Sequence, residues 1–579
     1  MRKNNLLLII FSAIIFLIFS LYITFPLIEH MGNWSTGTGD ELVIAWIQNW
    51  VIHTFTTNPF SLFEANLYFP YHNTLAYTEL FLPSSLLSII SLKVFAQPIA
   101  VVNFTLISSL FMLGFFTFLL SFYITEDFLP SLFSGMLIIF SPAVLDKKVH
   151  LQILALEWIP LSILCFLHFI KTNKTLFLIL SFLFFVLQTY NSFLPGYFLV
   201  FFFLIYLIYI FFYDKRKLKQ IIKKILLAFL ISIALLLPIV IPYYKVSYEF
   251  HAVRDVRDAI HFALQPEDFI YPNEHTKLAP TLLKIESLEK LPAKAEVKPG
   301  YLGLLFTLLS ILLIFNFFRN FKKKEIVFNV FTITSILGLL LSLGPFLHIG
   351  RLTIHKPFPI PLPYLLFYYI LPGFNGFRNS ARWEMLFIVC MSTSIAIFLP
   401  KLLKNYKKSV KIAIYIFLFF GVVLEYNFPM HFVQVATFKQ FPKVYSYLAK
   451  IPNHPIILFM PVYNWSTPNS GEEILRDYYS IEGFPKTING YSSFSPPPWQ
   501  KLVEFLLLYF PDTKTINEIK KLKVNYIVLE RDKYQELISS QFQFVNFKSF
   551  DQTIESLKTN SSLSFMGVFG DAYVFKINY

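Results

Sequence analysis

Repeated apolar segments about as long as a bilayer is thick constrain this chain more than any other feature. Eleven segments are candidate membrane spans: 5–27, 99–123, 128–144, 153–170, 175–190, 196–213, 225–244, 301–318, 326–347, 383–400 and 411–429. An α-helix needs about 20 apolar residues to cross the hydrocarbon core. Because 55% of the 579 residues are hydrophobic, more than a soluble fold can bury, the sequence predicts an α-helical polytopic membrane protein.

The charge pattern narrows the choice of partners. The formal net charge is +14, which by itself could indicate a nucleic-acid partner. The lysines, however, form short clusters between the apolar segments, and this is the pattern of cytoplasmic loops. We therefore expect membrane lipids as partners and no nucleic acid. Cys165 and Cys390 both lie inside apolar segments, so neither a disulfide framework nor a thiolate metal site is indicated.

The basic clusters also predict the topology. With Arg2 and Lys3 in the cytoplasm and alternating sides, the clusters at 215–224, 319–324 and 401–411 all fall inside. This solution requires the apolar segments 80–96 and 359–372 to remain outside, as interfacial or re-entrant segments. The alternative, in which both segments cross, is left open. We predict a multi-pass protein of the plasma membrane with a cytoplasmic N-terminus and an extracytoplasmic C-terminal domain.

Two domains follow from this topology. Residues 1–430 form a transmembrane module that includes a long first outer loop, 28–98, and residues 431–579 form an outer α/β domain. Runs of β-branched and aromatic residues predict strands at 455–461, 524–530 and 571–577. Helices are predicted at 438–451, 499–509 and 515–522 from their apolar periodicity.

The stretch TGTGDELVIAWIQNW, residues 36–50, places an acidic pair soon after the first span. Thr38 or Gly39 is a suitable N-cap, with Asp40 and Glu41 in the first helical turn, where the helix dipole favours anions. The aromatic residues that follow have the spacing of a helix lying among lipid headgroups. One interpretation is an acid-capped interfacial helix. The other is that a carboxylate at the membrane surface acts as a general base.

Four further motifs accompany this stretch. They are NPFSLFEANLYFPYHNTLAYTE (58–79), FSPAVLDKKVHLQILALEWIPL (140–161), LPGFNGFRNSAR (371–382) and TINGYSSFSPPPW (487–499). With the long first outer loop and its early Asp, they resemble the GT-C superfamily of membrane glycosyltransferases, and within it the YfhO-like branch of bacterial and archaeal membrane proteins. The resemblance runs over most of the chain.

This resemblance implies transfer of a sugar, hexosyltransferase-like, from a polyprenyl-phosphate-linked donor to a glycan, lipid or protein acceptor of the cell envelope. It implies Asp40 as the base that deprotonates the acceptor hydroxyl, and Glu79 is a candidate second acid or an ordinary loop residue. No cofactor is certain. A divalent metal, Mg²⁺ or Mn²⁺, is left open because some members use one and others do not, with Asp40 and Asp146 as the candidate ligands.

A lipid-phosphate leaving group needs cations, and several lie on the predicted outer loops. The donor phosphate set is Lys147, His150, Arg378 and Arg382, since guanidinium forks suit phosphate oxygens. The alternatives are that Lys147 contacts lipid headgroups, that His150 is structural, and that the two arginines snorkel to the interface. The stretch 251–261, rich in charges of both signs, is interpreted as a solvated helix face.

Two other functions compete with glycosyl transfer. One is a transporter or flippase of a lipid-linked glycan, against which the spans contain few of the ionisable residues that coupled transport requires. The other is a non-catalytic membrane scaffold whose outer domain binds a partner.

Overall fold

The structure is a computed structural model that describes residues 3–270, 300–349, 352–353, 359–425, 430–452, 454–540 and 548–579. It separates into two compact units. The first unit comprises Met1–Ile28, Thr105–Pro238 and Val253–His431, and the second comprises Glu29–Phe104, Ile239–Ala252 and Phe432–Tyr579. The predicted first outer loop thus lies, except for its first residue, in the unit that contains the C-terminal residues. Residues 271–299, which follow the charged stretch 251–261, lie outside the described residues.

Helices make up most of the first unit and are the commonest regular element of the second. In chain order they are α1 (Lys3–Ile23), α2 (Asp40–Thr57), α3 (Leu82–Phe95), α4 (Ala100–Thr125), α5 (Phe128–Ile139), α6 (Pro142–Leu145), α7 (Leu151–Leu154), α8 (Trp158–Thr172), α9 (Thr175–Asn191), α10 (Phe193–Tyr213), α11 (Lys215–Phe250), α12 (Val256–His261), α13 (Leu304–Arg319), α14 (Ile326–Ser342), α15 (Pro363–Ile370), α16 (Glu384–Leu402), α17 (Lys408–Glu425), α18 (Lys443–Ala449), α19 (Glu472–Tyr479), α20 (Pro497–Tyr509), α21 (Thr513–Lys521), α22 (Arg531–Ser539) and α23 (Phe550–Lys558). Each predicted span overlaps one of these helices, except that 128–144 and 153–170 each overlap two.

Length and composition identify the helices that can cross a membrane. Among the described residues six qualify: Leu6–Ile23, Ala100–Thr125, Leu151–Thr172, Phe193–Tyr213, Lys215–Phe250 and Ser380–Leu402. A seventh is added if Phe128–Ile139 and Pro142–Val149, which meet at 46°, form one bent span. The class of α-helical polytopic membrane protein is therefore confirmed, whereas the count of about 11 spans stays a prediction.

The two apolar segments that were predicted to remain outside form short helices. The segment 80–96 contains α3, which has 14 residues, and the segment 359–372 contains α15, which has eight. At a rise of 1.5 Å per residue these helices are about 21 and 12 Å long, short of the roughly 30 Å hydrocarbon core. Their lengths agree with interfacial or re-entrant segments, and their side of the membrane stays a prediction.

Close helix packing in the first unit depends on small residues. A Cβ atom on Gly338 of α14 would lie 2.6 Å from the backbone nitrogen of Phe387 on α16. A Cβ on Gly135 of α5 would lie 2.5 Å from the carbonyl oxygen of Gly114 on α4. Glycine at these positions lets the helix backbones approach, as small residues do in membrane helix pairs. The first of these contacts fixes the helix that begins at Glu384.

The second unit contains a five-stranded mixed sheet, which confirms the predicted C-terminal α/β region. The strand order is β6 (Lys486–Thr487), β5 (Ile456–Met460), β7 (Tyr526–Glu530), β9 (Ala572–Ile577) and β8 (Leu563–Phe569). The first three strands are parallel, and the last two run antiparallel to their neighbours. Ile457, Phe459, Val528 and Val574 form the core of one face with the apolar residues of α18.

Two two-residue pairings complete the strands. They are β1 (Trp34–Ser35) with β4 (Val433–Gln434), and β2 (His348–Ile349) with β3 (Leu352–Thr353). Further backbone hydrogen bonds extend the main sheet, because residues 66–69 hydrogen-bond along the outer edge of β6. Thr487 N donates to the carbonyl of Asn66 at 2.7 Å, and Phe69 N donates to the carbonyl of Thr487 at 2.8 Å. The first-loop residues and the C-terminal residues are therefore parts of one folded body.

Candidate functional site

Asp40 is the first residue of α2, and its surroundings follow from the glycine-rich sequence before it. Gly39 is the N-cap, and Asp40 and Glu41 occupy the first turn, as predicted from the sequence. The side chain of Asp40 is half-buried. A carboxylate at this end of a helix is stabilised in its ionised form by the helix dipole. Asp40 is thus a partly accessible anion at a fixed position of the second unit.

Glu41, beside it, has a different environment. Its side chain is buried, and its carboxylate folds back under the preceding loop, where Oε1 accepts from the Thr36 hydroxyl at 3.0 Å and Oε2 accepts from Gly39 N at 3.3 Å. A Cβ atom on Gly37 would lie 2.6 Å from Oε1. Burial raises the pKa of Glu41, although these hydrogen bonds oppose the shift. Glu41 braces the loop, which leaves Asp40 as the more accessible acid.

The aromatic face of α2 does not lie among headgroups, so that expectation is wrong for its tryptophans. Trp46 and Trp50 are buried. Trp46 Nε1 donates to Asn66 Oδ1 at 3.0 Å, and Trp50 Nε1 donates to the carbonyl of Leu62 at 2.9 Å. Because the indole N–H groups find protein acceptors, these rings can pack in the interior. The helix that carries Asp40 is therefore held rigidly within its unit.

Glu79, the candidate second acid, directly precedes the buried residues that begin α3. It is half-buried, and it interacts electrostatically with Tyr243. The Tyr243 hydroxyl also donates a hydrogen bond to the carbonyl oxygen of Thr78. Glu79 thus has a phenol from α11 as a neighbour. Its catalytic role stays a prediction.

Glu64 and His72 form an exposed pair in the same loop. His72 Nδ1 lies 2.9 Å from Glu64 Oε2, and Asn73 N donates to Glu64 Oε1 at 3.2 Å. Asn73 has a φ of +54°, in the left-handed region that asparagine tolerates. The pair therefore stabilises a turn, and this gives both side chains a structural role.

Lys147 lies in the first unit, in a short 3₁₀ turn, and has a carboxylate as its partner. Its Nζ is 4.0 Å from Oε2 of Glu384, and the Lys147 and Glu384 side chains are 7% and 0% exposed. Neither carboxylate oxygen of Glu384 has a hydrogen-bond partner among the described residues. Glu384 also interacts electrostatically with Asp146 and Asp268. Lys147 therefore offsets the charge of the buried Glu384 carboxylate, which two half-buried aspartates also face.

Glu384 is a residue that the sequence reasoning missed. It is the first residue of α16 and follows directly after the motif LPGFNGFRNSAR and Trp383. A buried ionisable group inside a candidate span is expensive and therefore a candidate functional residue. That rule could have identified Glu384 from the sequence, whereas its partner Lys147 could not be found without the fold.

Three further polar residues of the 140–161 motif flank Lys147 along the chain. Asp146, Lys148 and His150 are all half-buried. His150 is the N-cap residue of α7, without a side-chain capping hydrogen bond. The motif therefore places two lysines, a histidine and an aspartate on two successive short helical turns of the first unit.

Arg378 and Arg382 occupy the segment that leads into α16. Arg378 is exposed, and its guanidinium carbon lies 4.6 Å from the centre of the Phe262 ring. Arg382 is half-buried in the 3₁₀ turn Ser380–Trp383. Backbone hydrogen bonding fixes this segment, because Ala381 N donates to the carbonyl of Phe262 at 3.2 Å. The backbone that carries the two arginines is therefore fixed within the first unit.

Arg254 joins this group, although its charge-dense stretch was predicted to be only a solvated face. Its backbone nitrogen donates to the carbonyl of Asn375 at 3.1 Å. Burial and the neighbouring guanidinium of Arg378 lower the pKa of Arg254, and Asp258 partly opposes this. Two guanidinium groups that disfavour each other's charge would both gain from a bound anion. Arg254 is therefore a further candidate for phosphate binding.

Metal ligation was left open for Asp40 and Asp146. Among the described residues no three His, Cys, Asp or Glu side chains are grouped in a way that could hold a metal ion. Asp146, which is half-buried, interacts electrostatically with Glu384.

The fold has relatives among solved structures. No protein-family model matches the sequence, and neither does any curated protein. The structure of the arabinofuranosyltransferase AftD from Mycobacteria is similar over 99% of this chain, with a TM-score of 0.54 and 12% identity. This chain covers 40% of AftD. The oligosaccharyltransferase AglB from Archaeoglobus fulgidus is similar over 92% of this chain and 70% of its own, with a TM-score of 0.45 and 11% identity.

Proposed function

We propose that this chain, which has the fold of the GT-C membrane glycosyltransferases, is itself a membrane glycosyltransferase. It would transfer a sugar from a polyprenyl-phosphate-linked donor to an acceptor on the outer face of the membrane. The observation that carries the proposal is the likeness to AftD, an arabinofuranosyltransferase, over 99% of the chain. A fold alone does not determine a reaction, so the assignment of roles rests on the residues described above. The narrower YfhO-like resemblance stays a prediction.

Asp40 is assigned the role of general base. The acceptor hydroxyl loses its proton to the Asp40 carboxylate as its oxygen forms a bond to the anomeric carbon of the donor sugar. The bond between that carbon and the phosphate oxygen breaks, and polyprenyl phosphate leaves with the electron pair. A half-buried carboxylate at a helix N-terminus remains ionised and can accept this proton. Glu79 is assigned a supporting role in the same unit.

The cations of the first unit are assigned to the leaving phosphate. Negative charge grows on the phosphate oxygens as the bond breaks, and fixed donors directed at that charge stabilise the transition state. Arg378 and Arg382 would contact the phosphate directly, with His150 as a further donor. Lys147 is already paired with Glu384 at 4.0 Å, so its ammonium group is held in place before the donor binds.

Transport is the less favoured alternative. Among the described residues three buried carboxylates lie inside candidate spans: Glu157, next to the start of α8, Glu384, at the start of α16, and Glu425, at the end of α17. Coupled carriers use ionisable groups near the middle of the bilayer, and these three lie at helix ends. They fit a site at the membrane surface better than a site halfway across.

The decisive experiment measures sugar transfer by the purified full-length chain in lipid nanodiscs. Polyprenyl-phosphate sugars of defined headgroup are supplied with membrane extracts as acceptor, and released polyprenyl phosphate is measured. The expected result is release that depends on the acceptor and is lost in Asp40→Asn. Movement of the intact donor across a bilayer without cleavage would instead identify a flippase.

A further inference from the structure

The α/β sheet of the second unit contains a reversal in strand order. The parallel strands are arranged β6-β5-β7. From β5 the chain passes through α19 to β6 on one side, and from β6 through α20 and α21 to β7 on the other side. In open α/β sheets, ligands bind outside the carboxyl ends of the strands at such a reversal. The carboxyl ends of β5 and its two neighbours are therefore the place to look for a binding site.

An aromatic pair lies in the loops that follow two of these strands. Trp465 follows β5 and Tyr491 follows β6, and their ring centroids are 4.6 Å apart with the planes tilted by 40°. Trp465 is 53% exposed. We call these two residues the aromatic corner. Tryptophan is usually well buried, so an indole displayed at the ligand-binding edge of a sheet calls for an explanation.

Buried polar contacts hold the corner in place. Oε1 of Glu473, on α19, accepts from Tyr463 N in the first loop and from Asn489 Nδ2 in the second, both at 3.0 Å. Asp477 Oδ2 accepts from Tyr491 N at 3.0 Å. The two loops are thus connected through one helix. A corner that is fixed before the ligand arrives binds at a smaller entropic cost.

The charges beneath the corner are largely balanced. Arg476 pairs with Glu473 at 2.7 Å and with Glu530, and Lys533 lies 3.0 Å from Glu530. The corner therefore has no excess of lysine or arginine that would attract an anionic lipid surface. The exposed apolar side chains of Phe565, Met566 and Val568 lie on β8, at the opposite edge of the sheet from β6, so they are not part of the corner, whereas contact with a bilayer would need several apolar side chains together.

We infer that the aromatic corner binds a sugar ring of a glycan, and that this glycan is the acceptor of the proposed transferase. A sugar ring presents a flat C–H face, which can stack on the exposed indole, and a rim of hydroxyl groups. Ser466, exposed next to Trp465, can hydrogen-bond to such hydroxyls. The role as acceptor rests on the proposed function, whereas glycan binding does not.

The test is glycan binding by the full-length protein in nanodiscs. The probe is an array of defined bacterial and archaeal oligosaccharides, with titration of the strongest binder. Trp465→Ala is expected to weaken that binding at least about tenfold, as truncation of a central tryptophan does, and Trp465→Phe to retain most of it. Tyr509→Ala, which removes another exposed aromatic ring of this unit, is the matched control and should bind as the parent does.

Three outcomes would overturn the inference. The parent binds no glycan, or Trp465→Ala binds the glycan as tightly as the parent. In the third outcome Trp465→Ala loses binding of a peptide or of vesicles and not binding of a glycan. The binding assay involves no turnover, so it separates this inference from the proposed function. If Asp40→Asn binds the glycan normally but the parent transfers no sugar, the corner stands and the transferase fails. If transfer occurs and Trp465→Ala leaves glycan binding unchanged, the proposed transferase stands and the inference about the corner fails.

Discussion

Lys147 and Glu384 form an ion pair in the interior of the first unit, with 4.0 Å between Nζ and Oε2. Lys147 lies in the DKKVH segment, and Glu384 is the first residue of α16. Removal of one partner from such a pair leaves an uncompensated buried charge, whereas removal of both does not. Variants of this pair therefore test whether it stabilises the segment that carries Lys147, a residue of the predicted phosphate site.

Glu384→Gln should destabilise the first unit by up to about 3–5 kcal/mol, because Lys147 then loses its buried counter-charge. The double variant Lys147→Met, Glu384→Gln should recover much of that loss. The measurement is the unfolding midpoint of the purified protein in detergent. Glu325→Gln, which breaks the more exposed pair with Lys401, is the control and should cost at most about 1 kcal/mol. A single variant as stable as the parent would show that the pair contributes nothing.

Asp40→Asn should lower the rate of sugar transfer about 10²–10⁴-fold, the usual contribution of a positioned general base. Donor binding should change little, because the phosphate contacts are assigned to other residues. Glu41→Gln is the matched neighbour, and it should be mild because the amide oxygen can still accept from Gly39 N while the amide nitrogen donates to the Thr36 hydroxyl oxygen. Both variants are compared at matched expression in membranes. Near-parental transfer by Asp40→Asn would end its assignment as base.

Arg378→Lys and Arg382→Lys should each weaken binding of a polyprenyl-phosphate donor, although the charge is kept. A guanidinium group offers a planar fork to phosphate, and at Arg378 it also stacks on Phe262 at 4.6 Å. Arg254→Lys should behave in the same way if Arg254 belongs to the anion site. Arg319→Lys, at the end of α13, is the control. If all three variants bind the donor as tightly as the parent, the arginines are only interfacial anchors.

The predicted topology can be tested by labelling of single cysteines. Cys165 and Cys390 are both buried and are replaced first. Cysteines at Asn320, which follows α13, and at Lys514, on α21, are both at exposed positions. An impermeant maleimide added to intact cells should label position 514 and not position 320. Equal labelling of both from outside would reject the predicted topology and the outer-face assignment of Asp40.

The pH dependence of stability should reveal Asp477. Burial, reinforced by the nearby Glu473, raises the pKa of Asp477 well above its ordinary value, which is about 3.9. The folded state then keeps a proton that the unfolded state releases above about pH 4. The stabilisation is complete below that pH and is lost as the pH rises through the raised pKa.

Asp477→Asn stays neutral throughout, and its amide oxygen can still accept from Tyr491 N. Its unfolding midpoint relative to the parent should therefore increase steadily between pH 5 and pH 8. Asp551→Asn, at an exposed position of α23, should show no such trend. A constant difference between Asp477→Asn and the parent would mean that Asp477 does not carry a proton in the folded state.

Local sequence patterns predicted the regular elements well. Strands expected at 455–461, 524–530 and 571–577 appear as Ile456–Met460, Tyr526–Glu530 and Ala572–Ile577. These are apolar runs of strand length whose composition favours a buried sheet. The two-residue strand β6 and the added segment 66–69 have no such pattern, because their pairing depends on distant partners.

The candidate site was only partly predictable for the same reason. The helix start at Asp40 follows from a local rule, and the structure has it there. Burial of Trp46 and Trp50 was not predicted, because their acceptors belong to Asn66 and Leu62 in the following loop. The pairing of Lys147 with Glu384 depends on the close approach of helices, which short-range periodicity does not encode.

The sheet extension by residues 66–69 has a consequence for biogenesis. Thr487 and Asn66 are separated by 421 positions along the chain. At about 5–20 residues synthesised per second, the early segment waits roughly 20–80 s for its strand partner. Asn66 also holds Trp46 of the helix that bears Asp40. A truncated chain that ends after α17 lacks this strand partner, so the helix that bears Asp40 loses a support. Degradation of such truncated chains would therefore also remove copies in which the site is not assembled.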